Sequence, residues 1–203
     1  VPASVFKAYD IRGIVPAQID THFARQLGVA LAQQARALGT RTLVVGYDGR
    51  HSSPELSQAL QDGLLAGGID TLDLGMVHTP LVYYAAFRQE TGAGVAITGS
   101  HNPPDYNGFK IMLDGAALHG DGIQALRGIM EAPDSIEGLP RGTRREIDLI
   151  GDYISYISET LSLARPMKIA IDCGNGVGGK VAGRLYTALG CEVDELYCEV
   201  DGN

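Results

Sequence analysis

The chain contains no tryptophan, only three cysteines and four phenylalanines, and fewer basic than acidic residues, 16 against 24. Each shortage excludes something. A net charge of −8 with a pI near 5.0 argues against nonspecific binding to DNA or to an acidic membrane surface, because a phosphate backbone rewards excess Lys and Arg. A small phosphorylated ligand stays open, since it needs only a local cluster of positive groups. Cys173, Cys191 and Cys198 are odd in number and fit neither a disulfide framework nor a zinc pattern. They read as small buried hydrophobes in a reducing compartment. No apolar run reaches the length of a membrane span and no signal-peptide pattern opens the chain, so the cytoplasm is the expected compartment.

What is present is an ordinary globular composition, 45% hydrophobic over 203 residues, with apolar segments recurring along the whole length. Phe23, Leu27, Leu31, Ala35 and Leu38 repeat at helical spacing, with Asp20 or Thr21 to cap the start and Gly39 to stop the helix. Leu43-Val44-Val45 suits a buried strand, and Ser53-Pro54 reads as the cap and first turn of a second helix ending near Gly67. A strand at 70–74, a helix opened by Thr79-Pro80, and a small apolar strand at 93–98 continue the alternation. The segments 109–113 and 116–118 flank Asp114-Gly115, a hairpin turn, and a helix follows at 122–132.

This grammar predicts an α/β fold: a mixed, mostly parallel sheet flanked by helices. Residues 133–146, broken by Pro133, Gly138, Pro140 and Gly142, read as a linker containing an edge strand. Beyond it come a helix at 148–164, a strand at 168–173, a helix at 177–189 and a strand at 192–197. The expected division is a first domain at 1–146 and the beginning of a second, similar α/β domain at 147–203, too short to complete a sheet.

The least ordinary stretch is Thr98-Gly99-Ser100-His101-Asn102-Pro103-Pro104-Asp105-Tyr106-Asn107-Gly108-Phe109-Lys110, which leaves the carboxyl end of an apolar strand. Ligands of open α/β sheets bind beyond such ends. Ser100 offers a hydroxyl nucleophile, His101 a proton acceptor or donor, Asn102 a brace for the loop, and Lys110 a positive charge for an anion. Ser, Asn, Gly and Pro are also ordinary turn residues, and on composition alone a plain turn is the simpler reading.

The string TGSHNPPDYNGFK resembles the active-site serine loop of the α-D-phosphohexomutase superfamily, and more narrowly that of its phosphomannomutase/phosphoglucomutase branch. Phe6-Lys7-Ala8-Tyr9-Asp10-Ile11-Arg12-Gly13 is similar to the branch's N-terminal substrate loop, and Gly46-Tyr47-Asp48-Gly49-Arg50 to its GxDxR segment. Asp172-Cys173-Gly174-Asn175-Gly176 is similar to the opening of its second domain. Gly99 before Ser100 and Phe109 before Lys110 favour this branch over the phosphoglucosamine mutase branch, whose loop begins with Ala and continues Asn-Gly-Ile-Lys.

The resemblance implies a mutase that interconverts hexose 1-phosphate and hexose 6-phosphate, of mannose or glucose, through a phosphoserine at Ser100 and a hexose 1,6-bisphosphate intermediate. It implies catalytic roles for Ser100, His101 and Lys110, with bracing of the loop as the alternative for His101. Tyr9 and Arg12 would bind substrate, and Asn102, Asp48 and Arg50 would support the loops. Mg²⁺ would be the cofactor, held in part by the phosphate on Ser100. Its other ligands in the family are carboxylates of a DGDGDR loop, which Asp114-Gly115, Asp121-Gly122 and Asp201-Gly202-Asn203 do not match. The expectation is therefore an N-terminal fragment, monomeric and inactive by itself. Two other readings stand beside it: a noncatalytic sugar-phosphate-binding fragment, and a dinucleotide-binding oxidoreductase. The latter rests on Gly174-Asn175-Gly176-Val177-Gly178-Gly179, which satisfies G-x-G-x-x-G, with Glu195 as its acidic partner.

Overall fold

The computed structural model describes residues 1–203. Nine strands form two sheets. In chain order the elements are β1 (Ile11–Ile14), α1 (Thr21–Ala37), β2 (Thr42–Tyr47), α2 (Ser53–Ala66), β3 (Asp70–Met76), α3 (Thr79–Arg88), β4 (Gly94–Ile97), β5 (Tyr106–Leu113), β6 (Ala116–Ala117) and α4 (Asp121–Glu131). Then follow β7 (Arg144–Glu146), α5 (Ile150–Thr160), β8 (Lys168–Asp172), α6 (Ala182–Ala188) and β9 (Glu192–Leu196).

The first sheet has the order β1-β5-β4-β2-β3-β7, with β6 paired to β5. Strands β4, β2, β3 and β7 run parallel, and β5 is antiparallel to its neighbours β1, β4 and β6. The sheet is therefore mixed and mostly parallel, with helices on both faces. The edge strand expected within 133–146 is β7, paired to β3. The turn between β5 and β6 is Asp114-Gly115, both at positive φ (51° and 73°), which suits the right-handed twist of a tight hairpin. The second sheet is the parallel pair β8 and β9 joined by α6, and α5 touches both α3 and α6.

The two faces of the first sheet carry unequal cores. One cluster of 26 buried residues packs Val45, Val95, Ile97, Phe109 and Ile111 of the sheet against α1, α2 and α4. The other holds only 10, centred on Val44, Ala96 and Met112 beneath Leu81, Val82 and Ala85 of α3. The alternation along β5 assigns odd residues to the thick side and even residues, Lys110 among them, to the thin side. The thin side is where polar groups can be accommodated next to the sheet.

Several boundaries differ from the sequence reading. The start of α1 is not one of them: Asp20, one of the two expected caps, accepts the Phe23 amide (2.7 Å). Ser53 does not act as the cap of α2; it lies inside the first turn, and its hydroxyl donates instead to Asp48 (2.6 Å). β5 begins at Tyr106, so the stretch Tyr106-Asn107-Gly108, read as loop, is strand paired to β1. α5 ends at Thr160, four residues before the expected end, and the helix expected at 177–189 is a 3-10 turn at Val177–Lys180 followed by α6. Glycines at 174, 176, 178 and 179 make a continuous α-helix there costly.

Helices α1 and α2 cross backbone to backbone at Gly28 and Gly63. A β-carbon at Gly28 would lie 2.2 Å from the Leu60 carbonyl oxygen, and one at Gly63 would lie 2.1 Å from that of Arg25. Gly63→Ala is expected to lower stability by about 1–3 kcal/mol, because the helices must separate. Gly128→Ala, in α4 with open space around it, is expected to raise stability by about 0.4–1 kcal/mol. Urea unfolding of the two variants checks the pair, and a neutral Gly63→Ala would contradict this account of the crossing.

Candidate active site

Strand β4 is buried along its whole length and delivers the chain to Thr98 at its carboxyl end. The Thr98 amide donates to the Gly108 carbonyl (3.0 Å) and the Ser100 amide to the Thr98 hydroxyl (2.9 Å). Ser100 is exposed and sits at φ 53°, in the left-handed region that non-glycine residues seldom occupy. Such a conformation persists only where the surroundings over-determine it.

Arg50 supplies that constraint. Its guanidinium donates through Nη1 to the carbonyls of Pro103 (2.6 Å) and Tyr106 (3.0 Å), and through Nη2 to those of Asn102 (2.7 Å) and Ser100 (3.2 Å). One planar cation thus gathers four carbonyls of the serine loop. Asp48 sits behind it: one carboxylate oxygen accepts the Ser53 hydroxyl and the Arg50 amide (3.1 Å). The other accepts the Gly99 amide (3.2 Å) and lies 3.4 Å from Arg50 Nε. A β-carbon at Gly99 would fall 2.3 Å from Arg50 Cζ, so glycine at this position makes room for the guanidinium. Asn102 folds back on the loop, with its amide and Nδ2 both donating to the Gly99 carbonyl (3.1 and 2.9 Å).

Asn107, fully buried, ties the far end of the loop to the start of α2. Its Nδ2 donates to the hydroxyls of Ser52 (2.8 Å) and Ser53 (2.9 Å). Sequence reasoning passed over Asn107, Thr98 and Ser53 as participants. The first two lie inside the quoted motif, but which turn residue is buried and which faces solvent is decided by β1 and α2, elements distant in sequence.

A second cluster lies on the thin side of the sheet. Asp10, 7% exposed, pairs with the Arg12 guanidinium and lies 3.5 Å from Lys110 Nζ. The β1–β5 register, Arg12 opposite Gly108, sets this geometry, since Asp10 then falls level with Lys110. Arg12 Nε is buried without a hydrogen-bond partner. Burial, and then the Asp10 carboxylate, push the hydroxyl of Tyr83 in α3 above the usual tyrosine range. Tyr9 is 78% exposed, and His101 is exposed on the serine loop.

The sequence-derived residues therefore fall into groups. Ser100, Asn102, Asp48 and Arg50 line one wall of a polar cleft of about 360 Å³. Its opposite wall is made by Gly174–Val177 and Asp201–Asn203. Arg12 and Lys110 are brought together by Asp10 in the neighbouring rows of β1 and β5, and with Tyr9 they do not line this cleft.

A divalent cation of the magnesium type needs several oxygen ligands, carboxylates above all. The chain gathers no group of three or more His, Cys, Asp or Glu able to hold one, and the Asp48 carboxylate is already engaged by Ser53, Arg50 and Gly99. These residues alone do not fit a complete magnesium site. The dinucleotide reading also loses its structural context. Its fingerprint needs a helix starting at the glycine turn, whereas a 3-10 turn intervenes and α6 starts only at Ala182. Glu195, its acidic partner, lies against Gly183 of α6.

Arg50→Lys keeps the charge but loses the planar fork. Gly99→Ala displaces the guanidinium. Each is expected to speed hydrogen exchange at the amides of Ser100, Asn102 and Tyr106 by about tenfold or more, a loss of about 1.4 kcal/mol of local stability, while exchange in α1 stays unchanged. Unaltered protection in both variants would contradict the clasp.

Comparison with known proteins fits this geometry. Residues 3–137 match the family described as phosphoglucomutase/phosphomannomutase, alpha/beta/alpha domain I. The chain is 49% identical over 202 residues to a phosphoglucomutase of Neisseria meningitidis, covering 100% of this chain and 44% of the relative. It is 47% identical over 203 residues to a phosphomannomutase/phosphoglucomutase of Pseudomonas aeruginosa, of which it covers 43%. The crystal structure of a phosphoglucomutase/phosphomannomutase family protein from Burkholderia thailandensis superposes with a TM-score of 0.93 at 44% identity, over 100% of this chain and 46% of that one. The chain thus spans less than half the length of these relatives. An exposed serine clasped at the end of a parallel strand, inside a domain of this sequence and shape, places the chain in the phosphoglucomutase/phosphomannomutase family.

Proposed function

We propose that this chain supplies the phosphoserine half of a hexose-phosphate mutase acting on mannose or glucose phosphates. The observation that carries the reading is Ser100 itself: exposed, in the left-handed region, and carried on a loop that one arginine holds by four carbonyl bonds. A nucleophile held in this way loses little entropy when it reacts.

In the proposed cycle the phosphoryl group on Ser100 Oγ passes to a hydroxyl of the bound hexose phosphate. The Oγ–P bond breaks, the sugar O–P bond forms, and the proton of the sugar hydroxyl ends on Ser100 Oγ, which restores the serine hydroxyl. The hexose 1,6-bisphosphate then returns its other phosphoryl group to Ser100, which converts the 1-phosphate to the 6-phosphate or the reverse. Lys110 and Arg12 act as cations for phosphoryl oxygens, and Asp10 keeps both from drifting while it lowers their combined charge. The unpartnered Arg12 Nε supports this assignment, because a buried donor without an acceptor favours an anionic visitor. Tyr9, exposed beside Asp10, reaches the sugar. His101, exposed on the serine loop, is assigned to proton transfer. Asp48, Arg50 and Asn102 hold the loop. Mg²⁺ would neutralise charge on the phosphorylated Ser100, and the carboxylates to complete its shell are not among these residues. Residues 147–203 then open a second domain whose first loop faces the serine across the cleft.

Two outcomes test the reading in the intact protein. Incubation with glucose 1,6-bisphosphate is expected to add one phosphate to the parent protein and none to Ser100→Ala, as read by intact-protein mass spectrometry. The same adduct on the variant would remove Ser100 as nucleophile. Lys110→Met is expected to lower kcat by about a hundredfold, the size seen when one charge-stabilising donor is removed, with the phosphate on Ser100 retained. A kcat within twofold of the parent would take Lys110 out of the transfer step.

A further inference from the structure

The sequence reading of the cysteines as buried hydrophobes holds for Cys191 alone, which is 7% exposed. Cys173 and Cys198 are half-buried, and their sulfurs lie 3.3 Å apart, although 25 residues separate them. Cys173 follows the last residue of β8 and Cys198 lies just past β9. The parallel register pairs Asp172 with Leu196, which sets Cys173 beside Tyr197. Tyr197, at φ 49°, then turns the chain so that Cys198 comes back over β8, with its thiol near the carbonyls of Leu196 (3.4 Å) and Ile171 (3.9 Å). All three cysteines are free thiols.

This contact sits at the root of the cleft wall that faces Ser100. Cys173 leads directly into Gly174–Val177, and Cys198 into the segment ending at Asp201–Asn203. Asn175 already links the two segments: its amide donates to the Tyr197 carbonyl (2.7 Å), its Nδ2 to the Glu199 carbonyl (2.9 Å), and its carbonyl accepts the Asp201 amide (2.9 Å). A covalent bond between the sulfurs would complete a connection that hydrogen bonds have drawn up.

We propose that Cys173 and Cys198 are a redox-active dithiol that a peroxide converts to a disulfide, stapling together the two segments of the cleft wall. Cys198, as thiolate, attacks one peroxide oxygen. The O–O bond breaks, the sulfur becomes a sulfenic acid, and hydroxide leaves and takes up a proton to become water. Cys173 then attacks the sulfenic sulfur, the S–S bond forms, and a second water leaves carrying the Cys173 proton. Two thiols and one peroxide thus become one disulfide and two waters. The order follows from the surroundings. Cys173 is pushed up to about 11 by burial, by its hydrogen bond with Cys198 and by the nearby Glu195 and Asp172 carboxylates, so it stays protonated and serves as the resolving thiol.

The test uses the reduced intact protein, treated with hydrogen peroxide, capped with N-ethylmaleimide and digested with trypsin and then Glu-C without reductant. The peptide Ile169–Lys180 is expected joined to Leu196–Glu199, two hydrogens lighter than the sum of the free peptides and separated again by dithiothreitol. Cys191→Ser is expected to keep the link and Cys198→Ser to lose it. Capped thiols at both positions after peroxide, a sulfinic acid in place of the link, or a link through Cys191 would each overturn the proposal. In the linked form, hydrogen exchange through Gly174–Val177 is expected to slow by about tenfold, and an unchanged rate would overturn the coupling to the cleft.

Discussion

The serine loop depends on one guanidinium. Arg50 bonds to four carbonyls, those of Ser100 itself and of Asn102, Pro103 and Tyr106 after it. A lysine could meet one or two of them, but a planar fork can reach four at once. Everything adjoining adapts to this group: Asp48 balances its charge, Gly99 leaves it space, and Asn107 anchors the far end of the loop to α2. Ser100 holds its left-handed conformation within this clasped loop.

The unequal layering of the sheet explains where the other charges go. On the thick side the strands present Val, Ile and Phe to three helices, and no charged group could be accommodated there without a partner. On the thin side the cover is mainly α3 with part of α5, and the outer strands β1 and β5 extend past it. Asp10, Arg12 and Lys110 occupy that margin as a group carrying two positive charges and one negative. The antiparallel β1–β5 pair is what makes the group, because it sets the two strands in a register where positions 10, 12 and 110 share a face. An N-terminal segment and a segment a hundred residues later thereby act as one unit.

Most of the architecture was legible from periodicity. The α1 stripe of Phe23, Leu27 and Leu31, the apolar run of β2 and the Asp114-Gly115 turn all state their structure locally, and the chain adopts it. The misreadings have local causes too. Tyr106-Asn107-Gly108 looks like loop because Asn and Gly favour turns, yet pairing with β1 imposes strand on them. The glycine run at 174–179 looks like a dinucleotide fingerprint because glycine spacing says nothing about whether a helix begins there.

By itself the sequence determined the order and type of the elements and singled out Ser100 and Lys110 by their chemistry and Arg12, Asp48 and Arg50 by family resemblance, because hydrophobic period and motifs are properties of neighbouring residues. Tertiary structure alone decided which of these meet. It gave Arg50 to the serine loop, assembled Arg12 and Lys110 around Asp10, and placed Cys173 against Cys198. Those pairings depend on strand order and register, which are settled by burial of the whole sheet and not by any segment of it.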